Sequence, residues 1–137
     1  MKTVVLTLIC SLVFIAGCTA NGPVFSPIKT AEENKAVVYI YRPFSVAGCA
    51  LTPHVYIDEV KHGPLKNNGY LVYFVEPGKR MFELRDAMWD EPLTIYPDIE
   101  AGKQYYIRCT LAPYRIELGV IHEEYAIREI RNTKKSE

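Results

Sequence analysis

The chain has 137 residues, in which 16 Lys and Arg balance 16 Asp and Glu. This neutral composition provides no basic surface of the kind that nucleic acids need, so nucleic acid is excluded as a partner. The length fits one domain and is too short for two domains of ordinary size.

The first residues have the pattern of a bacterial secretion signal. Lys2 gives a positive start, and the apolar run of residues 4–15 is shorter than the roughly 20 residues that a membrane-spanning helix needs. The following Ile15-Ala16-Gly17-Cys18 resembles the lipobox of bacterial lipoproteins, in which the cysteine thiol receives diacylglycerol and the chain is cut before it. We therefore expect residues 1–17 to be removed and Cys18 to become a lipidated N-terminus, held in the lipid bilayer by palmitate-like acyl chains. An ordinary secretion signal that is cut after small residues is the alternative.

Thr19 would be the second residue of the mature chain. An aspartate at this position retains lipoproteins of enteric-type bacteria in the inner membrane, so Thr19 predicts a lipid-anchored protein of the outer membrane that faces the periplasm. Removal of residues 1–17 takes Lys2 away and leaves 15 basic against 16 acidic residues. The expected attachment to the bilayer is therefore through Cys18 and not through a basic surface.

Residues 18–35 have the composition of a tether. They contain two prolines, a glycine and several charged residues with little apolar periodicity, which is typical of a flexible segment. By the scaling for disordered linkers, such a segment spans roughly 20 to 25 Å. We expect one folded domain over residues 36–131, followed by a disordered tail at residues 132–137.

From Ala36 onward, short runs rich in Val, Ile and Tyr alternate with Pro and Gly, which is typical of an antiparallel sandwich. We predict an all-β fold, a small antiparallel β-sandwich of about seven strands. The predicted strands are residues 37–42, 54–58, 70–75, 81–85, 93–96, 104–111 and 116–121. Period-two alternation predicts these core-facing side chains: Val55, Ile57, Phe82, Leu84, Leu93, Ile95, Ile107, Leu111, Ile116, Leu118 and Val120.

The last predicted element covers residues 123–130. A short C-terminal helix would place Tyr125, Ala126, Glu129 and Ile130 on one face. The Ile and Tyr of this segment also suit a strand, which is the alternative.

Two cysteines would remain in the mature domain after the signal is removed and Cys18 is acylated. Cys49 and Cys109 would then lie in an oxidising compartment, where a disulfide between them is permitted. Alternation places Cys109 on the core-facing side with Ile107 and Leu111. We therefore expect Cys109 to be either bridged to Cys49 or an inert buried thiol.

Several motifs taken together resemble one protein family. Val38-Tyr39-Ile40-Tyr41-Arg42-Pro43, His54-Val55-Tyr56-Ile57-Asp58, Asn68-Gly69-Tyr70, Glu76-Pro77-Gly78 and Ala101-Gly102-Lys103-Gln104-Tyr105-Tyr106-Ile107 follow one another as in the bacterial lipoproteins of domain of unknown function 2846. The resemblance covers nearly all of residues 36–130 and implies a sandwich similar to PEGA-type and prealbumin-like modules. It implies no activity, because the family has none established.

Motifs for metal binding are incomplete in this chain. His122-Glu123-Glu124-Tyr125-Ala126 resembles the helix motif of zinc proteases, but Ala126 stands where the second histidine must be. His54 and His62 lie far apart in the sequence, and each is more typical of a surface or turn histidine. We predict no metal site and no cofactor.

Catalytic side chains are equally sparse. Three carboxylates cluster around Trp89 and could suggest a glycosidase pair, although a charged hairpin loop is the favoured interpretation: Asp86, Asp90 and Glu91. The serines of the predicted mature chain lie outside the motifs of serine catalysis. We therefore predict that the protein is not an enzyme.

The sequence offers one candidate contact surface. Alternation places Tyr106 and Arg108 opposite Ile107, and Tyr56 outward on an earlier strand. Tyrosine and arginine are frequent at binding hot spots, so Tyr56, Tyr106 and Arg108 are the candidate binding face, with plain strand propensity as the alternative. We expect a non-catalytic module that binds an envelope protein or glycan, or assists envelope assembly. The alternative is a small envelope hydrolase acting on peptidoglycan or lipid.

Overall fold

A computed structural model of the chain describes residues 18–29, 32 and 34–137, and the predicted signal peptide, residues 1–17, lies outside these. Within the described residues the regular secondary structure is mostly strand, with one helix, α1 (Glu123–Ile130), near the C-terminus. The strands are β1 (Ala36–Arg42), β2 (His54–Ile57), β3 (Val60–Pro64), β4 (Gly69–Val75), β5 (Gly78–Lys79), β6 (Phe82–Arg85), β7 (Leu93–Ile95), β8 (Asp98–Ile99), β9 (Gln104–Ala112), β10 (Arg115–Ile121) and β11 (Lys134–Lys135).

The strands form two main sheets and a small ribbon of β5 and β8. The larger sheet has the order β10-β9-β1-β4-β11, and the smaller sheet has the order β3-β2-β6-β7. The predicted all-β sandwich is confirmed, but the larger sheet is mixed, because β9 pairs parallel with β1 and β11 pairs parallel with β4. Parallel pairing needs a long connection, and β9 reaches β1 only after the chain has built the second sheet.

The main core lies between the two sheets. Apolar side chains from facing strands meet there: Ala36, Val38, Ile40, Val55, Ile57, Leu65, Leu71, Val75, Phe82, Leu84, Ile99, Ile107, Cys109 and Leu111. Ile116 and Val120 were predicted to join them, and that prediction is wrong, because they are 53% and 49% exposed. β10 is an edge strand, and the three-residue β7 opposite is too short to cover its full length.

A second core covers the outer face of the larger sheet. It consists of Val37, Tyr39, Tyr41, Tyr70 and Tyr106 from the sheet with Ala126 and Ile130 from α1. Because Ala126 and Ile130 are four residues apart, they lie on one face of the helix and pack against the strands. All seven residues of β1 are therefore buried, since its two faces belong to two different cores.

Residues 18–29 of the predicted tether are docked on the domain instead of extending from it. The amide of Gly22 donates to the carbonyl of Lys135 (3.1 Å), and the amide of Phe25 donates to that of Thr133 (3.0 Å). The Phe25 ring packs edge-on against Tyr39 and Tyr70, with 5.3 Å between centroids in each case. The prediction of a flexible segment fails here because composition does not reveal that the C-terminal residues offer backbone partners.

The predicted disordered tail is also ordered. Lys134 and Lys135 form β11 beside the start of β4, and the amide of Ser136 donates to the carbonyl of Tyr70 (2.9 Å). Thr133 and Ser136 are buried. The charged side chains that suggested disorder point to solvent, while the backbone between them completes the edge of the sheet.

The two ends of the sandwich differ in which loops they carry. At the end where Thr19 pairs with Asn67, called here the Cys18 end, β1 and β9 finish and β4, β10 and β11 begin. This end carries the loops 43–53 and 86–92 and the β9–β10 turn. The opposite end, called the distal end, carries the Asp58-Glu59 turn and the segments 76–81 and 96–103.

Candidate contact site

The three residues of the predicted binding face do not form one surface. Tyr56 lies on β2 in the smaller sheet, where the guanidinium of Arg85 stacks over its ring at 4.2 Å. Tyr106 and Arg108 lie on β9 in the larger sheet. Alternation correctly places Tyr56 and Tyr106 away from the main core, but their faces belong to opposite sides of the sandwich.

Tyr106 is moreover not exposed, so this part of the prediction is wrong. Its exposed fraction is 1%, because its ring stacks on Tyr39 with centroids 5.1 Å apart and lies in the second core. Its hydroxyl lies 3.1 Å from Gln104 Oε1 and 3.4 Å from Glu123 Oε1. Burial is the main cause that raises the pKa of Tyr106, and the nearby Glu123 carboxylate adds to it. Tyr106 is thus a packing residue of the sheet.

Arg108 instead lines a groove of about 530 Å³ between β10 and α1. The groove has a charged floor and a rim of mixed character, and it is lined by Arg108, Val120, Ile121, His122, Tyr125, Arg128 and Glu129. Gly119, which pairs with Arg108 in the neighbouring strand, has open space where a Cβ would lie. The missing side chain helps to keep the groove open beside Arg108.

The floor of the groove is a fixed ion pair. Arg108 Nε lies 3.0 Å from Glu129 Oε2, and Arg108 Nη1 donates to Thr110 Oγ1 at 3.1 Å. The buried Tyr41 hydroxyl donates to the same Glu129 oxygen at 2.8 Å. Burial, and next this hydrogen bond, raise the pKa of Tyr41, so the phenol stays protonated and serves as a donor. The positions of the two charged groups in the floor are therefore fixed in the unbound protein.

The rim of the groove supplies side chains that a partner can reach. Tyr125 is 62% exposed. Arg128 pairs with Glu124 at 3.0 Å, and both side chains are largely open to solvent. An exposed aromatic ring and an arginine beside a preset ion pair make a surface suited to contact. Tyr125 and Arg128 were missed as contact residues, because a helix beside an edge strand is not visible in the sequence.

The groove also holds the histidine that the sequence singled out. His122 precedes α1 and lines the groove with Glu129. Glu129 already contacts Arg108 and Tyr41, and the lining contains no serine, threonine or cysteine. Among the residues that the structure describes, no three of His, Cys, Asp and Glu come together as ligands for a metal.

The carboxylates around Trp89 have structural partners. Asp86 Oδ1 accepts from the amide of Met88 (3.0 Å), and its Oδ2 accepts from the amide of Thr52 (3.3 Å). Trp89 packs against the main core. This arrangement fits the charged loop with an aromatic anchor that the sequence favoured over a glycosidase pair.

The Cys18 end has its own fixed geometry. Thr19 forms a bridge with Asn67, and the amide of Ala20 donates to the Asn67 carbonyl at 2.8 Å. The Asn67 side chain, which is fully buried, exchanges two hydrogen bonds with the backbone of Ser45, at 3.0 and 2.9 Å. Cys18, the predicted lipidation site, is therefore next to Thr19, which is connected to the loop 43–53 through Asn67.

Arg42 organises the same loop from inside. Its guanidinium is 1% exposed and donates to the carbonyls of Gly48 (2.6 Å) and Leu51 (2.7 Å). Burial lowers the pKa of Arg42, while the nearby thiols of Cys109 and Cys49 raise it. Both thiols thus lie near Arg42, but they are free, and the predicted disulfide is not formed in the structure.

Within the described part of the chain, no helix has the length and apolar character needed to cross a bilayer. A search of curated proteins finds no match for this chain. A family model described as "Protein of unknown function (DUF2846)" matches residues 32–118, which include most of both sheets and, of the residues that line the groove, Arg108. The chain therefore belongs to the DUF2846 family.

Proposed function

We propose that this protein is a lipoprotein of the bacterial cell envelope, attached to the bilayer through acylated Cys18, whose sandwich domain is a non-catalytic module for binding or envelope assembly. The outer membrane, on its periplasmic side, is the proposed location because Thr19 follows Cys18. The groove between β10 and α1 is the proposed contact site for an envelope protein or glycan.

The observation that carries the binding role is the contrast between the floor and the rim of the groove. Tyr41 and Thr110 hold the Arg108–Glu129 pair in place. Association with a partner therefore costs little conformational entropy at these two side chains. Tyr125 and Arg128 stand at the rim with most of their surface accessible. Residues of these two types carry much of the energy in protein contacts.

A double variant tests the contact site. Tyr125→Ala with Arg128→Ala removes two exposed side chains of the rim. The double variant should weaken binding of the partner by about 2 kcal/mol, which is about 30-fold in affinity. The matched control is Tyr96→Ala with Lys79→Ala at the distal end, where both residues are also exposed. Photo-crosslinking from position 120 in intact cells provides the readout. Equal crosslinking in both double variants would reject the groove as the contact site.

The anchor has a separate test. Cys18→Ser removes the thiol that would receive diacylglycerol, and the protein should then leave the membrane fraction or remain unprocessed. Mass spectrometry of the N-terminal peptide of the unaltered protein should find Cys18 as an acylated first residue. A mature-sized Cys18→Ser protein that still fractionates with membranes would reject the lipoprotein assignment.

The hydrolase alternative has one feature in its favour, since His122 and Glu129 share the groove. It has less support than the binding role because Glu129 is engaged by Arg108 and Tyr41. Release of soluble fragments from peptidoglycan or of fatty acid from phospholipid by the purified protein, and its loss in His122→Ala, would favour the hydrolase instead.

A further inference from the structure

The most exposed apolar side chains of the described residues are concentrated in three loops. Among large hydrophobic residues, Tyr114 is 101% exposed, Met88 80% and Val46 78%, and these are the three highest values. Phe44, two residues before Val46, is 56% exposed. These four residues lie in the β9–β10 turn, in the loop 86–92 and in the loop 43–53.

The topology brings these three loops to the Cys18 end. β9 runs parallel to β1, so the turn with Tyr114 follows β9 at the end where β1 finishes at Arg42. The loop 43–53 leaves β1 at this same point. Thr52 of that loop donates to Asp86, which places the loop 86–92 beside it.

The predicted lipidation site lies among these loops. Thr19 pairs with Asn67, and Asn67 exchanges hydrogen bonds with Ser45, the residue between Phe44 and Val46. Three residues, Thr19, Asn67 and Ser45, thus connect Cys18 to the two exposed apolar residues of the loop 43–53. Acyl chains on Cys18 would therefore enter the bilayer beside Phe44 and Val46.

The loops 43–53 and 86–92 are held in place by hydrogen bonds, and they differ in charge. Arg42 fixes the loop 43–53 through Gly48 and Leu51, and that loop has no charged residue. Asp86 fixes Met88 through its amide. In the loop 86–92, Asp90 and Glu91 are exposed, so this loop can insert no deeper than Met88 before carboxylates meet the headgroups.

We infer that the Cys18 end of the domain lies directly on the bilayer that holds its acyl chains, with Phe44, Val46, Met88 and Tyr114 entering the boundary between headgroups and hydrocarbon. This inference rests on the proposed lipid anchor at Cys18. Apolar surfaces of this kind enter about 5–10 Å, and tyrosine suits the boundary because its ring is apolar and its hydroxyl is polar. The domain is then held in one orientation, with its distal end pointing away from the membrane.

Fluorescence quenching by brominated lipid tests this orientation in the full lipidated protein. Trp89 is the one tryptophan of the chain, so Trp89→Phe provides a silent background. Single reporters are then introduced as Val46→Trp and Tyr114→Trp, and Val60→Trp at the distal end is the matched control, since Val60 is 61% exposed. Each protein is reconstituted in phosphatidylcholine and phosphatidylglycerol vesicles with bromine near the glycerol end of the acyl chains.

We expect a several-fold greater loss of fluorescence at positions 46 and 114 than at position 60. The two reporters lie in different loops, so failure of one variant to fold leaves the other as a test. Equal, weak quenching at all three positions overturns the inference and favours a domain that stands off the membrane. Blue-shifted emission at 46 and 114 without quenching also overturns it and identifies a protein, such as a second copy of this chain, as the occupant.

The failures of the two proposals are distinguishable. A chain whose N-terminal peptide carries no acyl group, and which does not float with the vesicles, overturns the lipid anchor together with the docking. An acylated chain that floats but shows no position-dependent quenching overturns the docking alone.

Discussion

The two ends of the sandwich differ in how their loops are held in place. At the distal end, ion pairs join neighbouring segments: Arg80 with Asp58 at 3.0 Å, Lys103 with Glu100 at 2.7 Å and Lys35 with Glu76 at 3.9 Å. At the Cys18 end, the loop 43–53 is uncharged, and a buried arginine binds its carbonyls from within. The distal end thus has ion pairs between charged side chains, whereas the loop 43–53 of the Cys18 end surrounds a buried cation and exposes apolar side chains.

This difference indicates which end is suited to contact with water and which is suited to contact with a partner. Exposed ion pairs contribute little to stability but keep a surface soluble. An end that exposes several large apolar side chains needs a partner that removes them from water.

The largest expected effect is oxidation at the Cys18 end. Gly48 packs against Leu111, since a Cβ on Gly48 would lie 3.5 Å from Leu111 Cβ, and Cys49 and Cys109 both lie near Arg42. A bridge between them would stabilise the fold by about 4 kcal/mol in the chain-entropy model. Urea unfolding with and without reductant should show this difference, and Cys49→Ser should abolish it.

The bridge should form slowly without a catalyst. Burial raises the pKa of the Cys109 thiol to about 12, so the reactive thiolate is scarce at neutral pH. If both thiols are alkylated in protein isolated from the envelope without reductant, the disulfide prediction is wrong. The stability of the loop 43–53 would then depend on the buried Arg42 and not on a disulfide.

The next effect compares one arginine at each end. Arg42→Ala should cost about 3 kcal/mol or more, because two half-buried carbonyls lose charged donors at 2.7 and 2.6 Å and the buried side chain leaves a cavity. Arg80→Ala should cost about 1 kcal/mol or less, because its ion pair with Asp58 is partly exposed. Equal losses in urea unfolding of the two variants would contradict the difference in construction between the ends.

The smallest effect is an alkaline loss of stability from the second core. The pKa of Tyr41 is raised in the folded state, mainly by burial, so its contribution is complete below about pH 10 and declines as pH rises further. Above pH 10 the unfolded chain releases a proton that the folded chain keeps. Each group of this kind lowers the free energy of unfolding by about 1.4 kcal/mol per pH unit. Tyr41→Phe should therefore show a shallower decline in urea unfolding between pH 10 and 11.

The distal end supplies the contrast for this measurement. The pKa values of Lys35 and Lys103 are also raised, each first by a hydrogen bond to a glutamate. These pairs are open to solvent, so their titration contributes little. A Lys103→Met variant should keep the full alkaline decline, and loss of the decline in that variant would contradict the assignment to buried tyrosine.

Much of the main core could be predicted from the sequence. Alternation correctly identified Val55, Ile57, Phe82, Leu84 and Ile107 as inward-facing, because side chains on a strand point to opposite faces in turn. The family resemblance was carried by motifs on the same strands and is confirmed by the match over residues 32–118. The lipid anchor at Cys18 remains a prediction, since it depends on the signal at residues 1–17, outside the described residues.

The candidate site could be predicted only in part. Arg108 was identified as pointing away from the main core, which is correct, but alternation does not say what covers the other face of a sheet. Tyr106 is buried because the second core forms over it, and Tyr41 bonds to Glu129, a residue 88 positions away.

The sequence by itself determined the local features of this protein: the strands, most of the turns between them and the side chains that share a face. These follow from interactions between residues close in the chain. Only the tertiary structure decided that residues 134–135 join the sheet, that residues 18–29 dock on the domain, that α1 covers Tyr106, and that the exposed apolar loops lie at the same end as Cys18. The reason is that edge pairing and coverage of a face depend on segments far apart in sequence, whose meeting leaves no periodic pattern in either segment.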